Sequence, residues 1–192
     1  MQPARRLEGK FTYADYVAWP GDERWELIVG EAYDMTPAPT TEHQRLALNL
    51  ATLLRAALRG HRCTVWIAPT DVILSEEDVV QPDVFVVCDR AKITPAGIRG
   101  APDFVAEILS PLTGLKDRRT KRALYERSGV REYLLVDPEA KTVERYALGA
   151  DGSYGRADVF APDEDLPLLS VAPLVLSLPD VFEAELRTPP SP

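Results

Sequence analysis

The chain has little of what thiol and zinc chemistry requires. It contains two cysteines, Cys63 and Cys88, and two histidines, His43 and His61. Neither cysteine belongs to a close-spaced pair of the kind that binds zinc or carries out redox exchange, and the histidines are too few and too far apart for a zinc site. Each cysteine falls within a predicted strand, so the two read as buried structural thiols in a reducing cytoplasm. No apolar run approaches the roughly 18 residues of a membrane span, and the basic residues before Lys10 are not followed by the apolar stretch of an export signal. A soluble, cytoplasmic protein without a membrane partner is expected. Positive charge is also short: 22 Lys and Arg stand against 30 Asp and Glu, a net charge of -8. That balance speaks against indiscriminate binding to nucleic-acid phosphates but leaves room for a local site. Internal repeats are absent. The three tryptophans, Trp19, Trp25 and Trp66, read as core or interface anchors rather than base-stacking platforms.

Apolar residues are well supplied, at 45% of 192 positions, which suffices for one sizeable core. A single domain over 1–187 is expected, with 188–192 a disordered tail. Thr12 to Asp15 has helix-start spacing, and that helix should end before Pro20-Gly21. Trp25 to Val29 and Ala32 to Met35 form a hairpin around Gly30-Glu31. A long helix follows, with Thr41 and Gln44 at capping-box spacing and Leu46, Leu50, Leu53, Leu54 and Leu58 at helical intervals, stopped by Gly60. Strands dominate next: Cys63 to Ala68, Asp71 to Leu74, Val79 to Cys88, and Asp103 to Leu109 after a loop that holds one helical turn. An amphipathic helix from about Leu115 to Ser128 ends at Gly129. Glu132 to Val136 is another buried strand, Thr142 to Ala147 pairs with it, and Arg156 to Phe160 adds an edge. The fold class is α/β: a central mixed sheet flanked by helices on both faces, with an N-terminal helix and hairpin.

Within this frame, acidic residues sit where they are costly. Asp83 opens the run Val84 to Val87, and Glu107 lies inside Phe104 to Leu109. A carboxylate buried in such a strand needs a metal, a cation or hydrogen bonds to compensate it. On the following helix Asp117, Lys121, Leu124, Tyr125 and Ser128 share one side, so Lys121 points inward with the apolar pair. Lys116, Arg118, Arg119, Lys121 and Arg122 also make the densest basic cluster in the chain, which reads equally as a solvated helix face. Each residue has a plain structural alternative: Asp83 as strand entry after a proline, Glu107 in a buried ion pair, Lys121 in water.

Several segments together resemble the Uma-type restriction endonuclease family of the PD-(D/E)xK nuclease superfamily. They are Trp25 to Glu31, His43-Gln44, Gln81 to Val84, Ala106 to Pro111, Lys121 with Tyr125, and Gly129 to Tyr133 running through Val136-Asp137-Pro138. The likeness extends from about Phe11 to Phe182. It implies a restriction-endonuclease-like fold and an endonuclease that hydrolyses DNA phosphodiesters with Mg2+, for which Mn2+ substitutes. By the resemblance Asp83 and Glu107 are the metal ligands, and the catalytic set is Asp83, Glu107 and Lys121 joined by Glu26 and Glu31. The lysine that the superfamily places two residues after its second acid is Leu109 here, and Lys121 supplies the ammonium from the helix instead. The superfamily more often draws its extra carboxylate from the first core helix, where Glu42 and His43 lie. A homodimer is the usual way for so small a nuclease to cut both strands. Two other classes remain: a catalytically inactive nuclease-fold module for DNA binding or assembly, and a hydrolase of another phosphodiester.

Overall fold

Strands that are apolar at every position need cover on both faces, and a computed structural model shows where that cover comes from. It describes residues 6–20, 24–35, 38–110, 117–171 and 173–183. The first part of the chain holds β1 (Arg6–Leu7), α1 (Tyr13–Val17), the hairpin strands β2 (Trp25–Ile28) and β3 (Glu31–Asp34), and the long helix α2 (Thr41–Ala57). Strands β4 (Thr64–Ile67), β5 (Val72–Ser75), β6 (Asp78–Val80) and β7 (Val84–Val87) follow. After a 3-10 turn at Arg90–Lys92 come β8 (Ile93–Thr94), β9 (Gly97–Arg99) and β10 (Phe104–Ile108). A π-type turn at Asp117–Lys121 runs into α3 (Arg122–Ser128), then β11 (Glu132–Asp137), β12 (Thr142–Ala147) and β13 (Asp158–Phe160). The last elements are β14 (Asp165–Pro167), β15 (Val175–Ser177) and α4 (Leu178–Phe182).

Two mixed sheets result. One is a six-stranded sheet in the order β13-β12-β11-β10-β7-β4, in which β10 and β11 run parallel and the other neighbours antiparallel. Alternation along its strands sorts the side chains. Val84, Val86, Phe104, Ala106 and Ile108 meet Leu46, Leu50 and Leu54 of α2 on one face. Phe85, Val87, Val105 and Leu135 meet Leu124 and Tyr125 of α3 on the other. A seven-stranded sheet, β1-β3-β2-β6-β5-β9-β8, lies over this second face and contributes Ile28, Val72, Val80 and Ile98 to the same cluster. The expected α/β class therefore holds, with helices on both faces of the six-stranded sheet and an N-terminal helix and hairpin ahead of it.

The departures are local and have physical causes. The run Val79 to Cys88 is not one strand: β6 belongs to the seven-stranded sheet and β7 to the six-stranded one, and the chain crosses between them at Gln81-Pro82-Asp83. Pro82 offers no N–H to a ladder, so the break falls there. Asp83 is thereby placed at the corner where the sheets meet. The N-cap of α2 is Thr40, whose side chain accepts from the His43 N–H at 3.2 Å, one residue before the expected cap. Gly129 closes α3 with φ +83°, as its position implied. The beginning of that helix near Leu115 and the tail 188–192 lie outside the described residues. The β14–β15 ribbon and α4 were not legible in the proline-rich stretch after Pro162. Among the described residues no helix is long and apolar enough to cross a membrane.

The cysteines require a correction. Cys63 and Cys88 are joined in a disulfide that ties the start of β4 to the end of β7, so they are not free thiols, and the argument from thiols to a reducing compartment falls. Its sequence separation is 25 residues, for which loop closure in the unfolded chain corresponds to about 3.5 kcal/mol of stability. Reductant is expected to lower the melting temperature of the wild-type protein and to leave a Cys63→Ser/Cys88→Ser variant unmoved. Identical melting curves with and without reductant, once thiol titration shows both cysteines reduced, would refute this contribution.

Candidate active site

The π-type turn before α3 carries an extra residue in its turn, a feature that recurs at functional sites. It turns both of its ends inward, leaving Asp117 2% and Lys121 3% exposed. The Lys121 ammonium lies 2.9 Å from Glu107 Oε1, 2.9 Å from Glu26 Oε1 and 3.8 Å from Asp117 Oδ1. Three elements meet there: β2 brings Glu26, β10 brings Glu107, and the turn brings the lysine. Tyr125, four residues beyond Lys121 and so on the same helix side, donates its hydroxyl to Glu107 Oε1 at 2.7 Å. The Gln81 N–H donates to Glu26 Oε1 at 3.1 Å, and the Tyr133 hydroxyl donates to the Asp117 carbonyl at 3.2 Å.

Asp83 stands beside this cluster at the sheet corner. The N–H of Ile108, the residue after Glu107, donates to Asp83 Oδ2 at 2.8 Å. His43 reaches the same oxygen from the first turn of α2, with Nε2 at 3.0 Å. Both contacts fall on Oδ2, and the Asp83 side chain keeps 18% exposure while Glu107 keeps 4%. The corner is thus open to solvent at Asp83 and closed at Glu107. His43 Nδ1 is buried and has no hydrogen-bond partner among the described residues.

Burial shapes the electrostatics. It pushes the Glu107 carboxyl up to about 8, with Asp83, Asp117 and Glu26 adding to the rise and the Lys121 ammonium opposing it. Burial alone would disfavour the Lys121 ammonium, but Glu107, Glu26 and Asp117 hold its pKa well above the ordinary lysine value. The Tyr125 hydroxyl is raised by burial and by the carboxylates around it, so it remains a donor. For His43, burial works against the charged ring, and the Asp83 contact outweighs it, leaving the imidazole raised.

Three buried carboxylates, Glu26, Glu107 and Asp117, gather at the Lys121 ammonium. Among the described residues no three or more His, Cys, Asp or Glu side chains are grouped so that they could hold a metal ion. Zinc in a structural site would need such a group, whereas magnesium keeps several waters and binds through one or two carboxylates. The donor set of Asp83 and Glu107, all oxygen and open to solvent on one side, fits magnesium.

Of the residues singled out in the sequence, Asp83, Glu107, Lys121 and Glu26 are brought together. Glu31 is not. It shares the hairpin face with Glu26 but pairs with Ile28 at the turn end, where it accepts from the Tyr33 hydroxyl at 2.8 Å. Glu42 is half-exposed and pairs with Arg45 instead. Leu109, at the position where a lysine was expected, packs into the apolar cluster with Leu124. Asp117 was missed as a site member although its spacing to Lys121 placed it on the right side. His43, ranked below the carboxylates, touches Asp83 directly. The basic cluster is largely spoken for: Arg118 pairs with Asp137 at 3.0 Å and with Glu144, Arg122 with Glu126 at 3.6 Å, and Lys116 lies outside the described residues.

The chain is similar to known proteins in sequence and in fold. A Synechocystis protein described as "Uncharacterized protein slr1290" is 28% identical over 149 residues, 76% of this chain and 78% of its own length. A crystal structure described as a "putative nuclease belonging to DUF820" from Anabaena variabilis superposes with a TM-score of 0.74 at 21% identity, covering 90% of this chain and 97% of that one. The fold is thus that of a nuclease-like neighbour. The Uma2 family, described as "Putative restriction endonuclease", matches residues 13–180, and with nearly the whole of the described chain inside that match, the protein belongs to the Uma2 family.

Proposed function

We propose that this protein is a magnesium-dependent endonuclease that hydrolyses DNA phosphodiester bonds, with Mn2+ able to replace Mg2+ and a homodimer as the assembly that cuts both strands. The observation carrying this reading is the convergence of Glu26, Glu107 and Lys121 beside Asp83, at a sheet corner that stays open at Asp83. Asp83 and Glu107 would hold the ion. When bound, it supplies Lewis-acid polarisation of the phosphoryl oxygen and makes an attacking water more acidic. The chain's own side chains do the rest. Ile108 N–H and His43 fix the orientation of the Asp83 carboxylate, and Tyr125 fixes that of Glu107. The Lys121 ammonium orients the attacking water and offsets charge building on the phosphoryl group, a role that benefits from its being held in place beforehand by Glu26. No nucleophilic side chain is required.

Two variants separate binding from chemistry. Asp83→Asn is expected to weaken magnesium uptake measured by calorimetry, since it removes ligand charge. Lys121→Gln is expected to retain uptake while lowering the cleavage rate by about a hundredfold, the scale for loss of one preorganised charge-stabilising group. Because removing one partner of a buried ion pair costs about 3–5 kcal/mol, rates are to be compared at a temperature where melting curves show both proteins folded. Full activity in Lys121→Gln would remove the lysine from the mechanism. Absence of cleavage on single-stranded, duplex and branched DNA together with absence of metal uptake would leave a non-catalytic DNA-binding or assembly module.

The pH dependence has a definite sign. With the Glu107 carboxyl pushed by burial from 4.5 to about 8, protons compete with a cation for this group well above the usual carboxylate range. Magnesium affinity should therefore rise with pH and level off above about 8, and proton release should appear as buffer-dependent heats near neutrality. An affinity that stays flat from mildly acidic to mildly alkaline solution would exclude Glu107 as a ligand.

A further inference from the structure

Helix α2 and the outer strand β4 of the six-stranded sheet leave a groove of about 400 Å³, and Asp83 forms part of its wall. Ala47, Leu48 and Ala51 line it from the helix; Ile67 and Ala68 line it from the end of the strand. Leu48 is 66% exposed and Ile67 52%, so two of the seven large apolar side chains left exposed among the described residues stand in this one place. Concentrated apolar exposure beside a polar site marks a contact surface. Thr41 and Gln44 sit at the same groove as polar groups, both exposed, while Arg45 is already paired with Glu42.

We propose that this groove takes an unstacked nucleoside adjoining the phosphodiester held at Asp83, so that the substrate is nucleic acid with unpaired residues at the point of cleavage; the proposal rests on the nuclease reading above. Continuity carries the assignment of the occupant. A phosphodiester engaged at Asp83 has its flanking sugar and base within one nucleotide of the groove, and a cavity of this size falls in the range that holds a small ligand. In an intact duplex the base faces are covered by their neighbours and the exterior is phosphate and sugar, which gives apolar walls nothing to contact. An unpaired base presents a flat apolar face and a polar edge. Leu48 and Ile67 suit the face, as apolar side chains do in enzymes that hold extruded bases, and the Gln44 amide both donates and accepts toward the edge. Charge agrees with this. The net charge of -8 disfavours binding through phosphate attraction alone, so contact with base faces adds what charge does not supply.

The test measures binding and does not depend on turnover. Fluorescence anisotropy is recorded for a labelled single-stranded DNA and for the same sequence as a duplex, with calcium in place of magnesium, on the full-length wild type and on Leu48→Ala/Ile67→Ala. Both positions are exposed and the substitutions leave the charge unchanged, so the fold and the phosphate electrostatics are preserved. The wild type is expected to prefer the single strand, and the variant to bind it about tenfold or more weakly while duplex binding stays the same. A wild type that prefers the duplex, or binds neither form, overturns the proposal, as does a variant that loses both forms equally or neither. A drop in oligomeric mass of the variant by light scattering would assign the groove to a second copy of the chain and overturn it likewise. Failure of the nuclease reading shows up separately, as absence of metal-dependent cleavage on every DNA form.

Discussion

The structure depends on one lysine in a place where lysines are seldom found. With 3% exposure, Lys121 holds Glu26 and Glu107 at 2.9 Å each, and these two carboxylates come from strands of different sheets. Taking such groups out of water costs several kcal/mol per ion, which their mutual attraction recovers only with close geometry and further hydrogen bonds. Those bonds come from neighbouring elements: the Tyr125 hydroxyl to Glu107, the Gln81 N–H to Glu26, the Tyr133 hydroxyl to the carbonyl of Asp117. An error in the register of β2, β10 or the π-type turn would leave a buried charge unpaired. The cluster thus ties the two sheets and α3 to a single arrangement.

Pro82 is the complementary constraint. By ending β6 before β7 begins, the Gln81-Pro82-Asp83 step passes the chain from the seven-stranded to the six-stranded sheet. One residue of that step, Gln81, serves the first sheet's Glu26, and another, Asp83, lies against β10 of the second. The corner therefore brings the two groups of carboxylates side by side without a loop of its own. The disulfide ties β4 to β7 at the opposite end of β7 from this corner.

Much of this was legible in the sequence, and the reasons differ by residue. Glu107 announced itself because a carboxylate inside Phe104 to Leu109 violates the apolar pattern, and Lys121 because it shares a helix side with Leu124 and Tyr125. Leu109 in place of a lysine pointed to the helix as the source of the ammonium, and the ammonium is at Glu107. Pairing between distant elements was what local pattern could not carry. The union of Cys63 with Cys88 follows from the adjacency of β4 and β7, which no spacing reveals. Glu26 and Glu31 looked alike in sequence because both lie on one hairpin face. Only the register, with Glu26 opposite Tyr33 and Glu31 opposite Ile28, decides which of them meets the lysine. The sheet crossing was hidden because Val79 to Cys88 has the composition of one long strand, and the proline inside it was the signal to weigh more heavily.

Placing the ammonium on a helix, and not two residues beyond Glu107 on the strand itself, has a physical consequence for the site. A lysine two residues along the strand would stand beside Glu107 on the same face, whereas one on the π-type turn approaches from the facing layer and reaches Glu26 and Asp117 as well. The fold then carries its own cation among three buried carboxylates. Asp83, with its greater exposure and its contacts confined to one oxygen, is left as the carboxylate that faces solvent. The corner thus has a closed side, where Glu26, Glu107, Asp117 and Lys121 are buried together, and an open side at Asp83, next to the apolar groove.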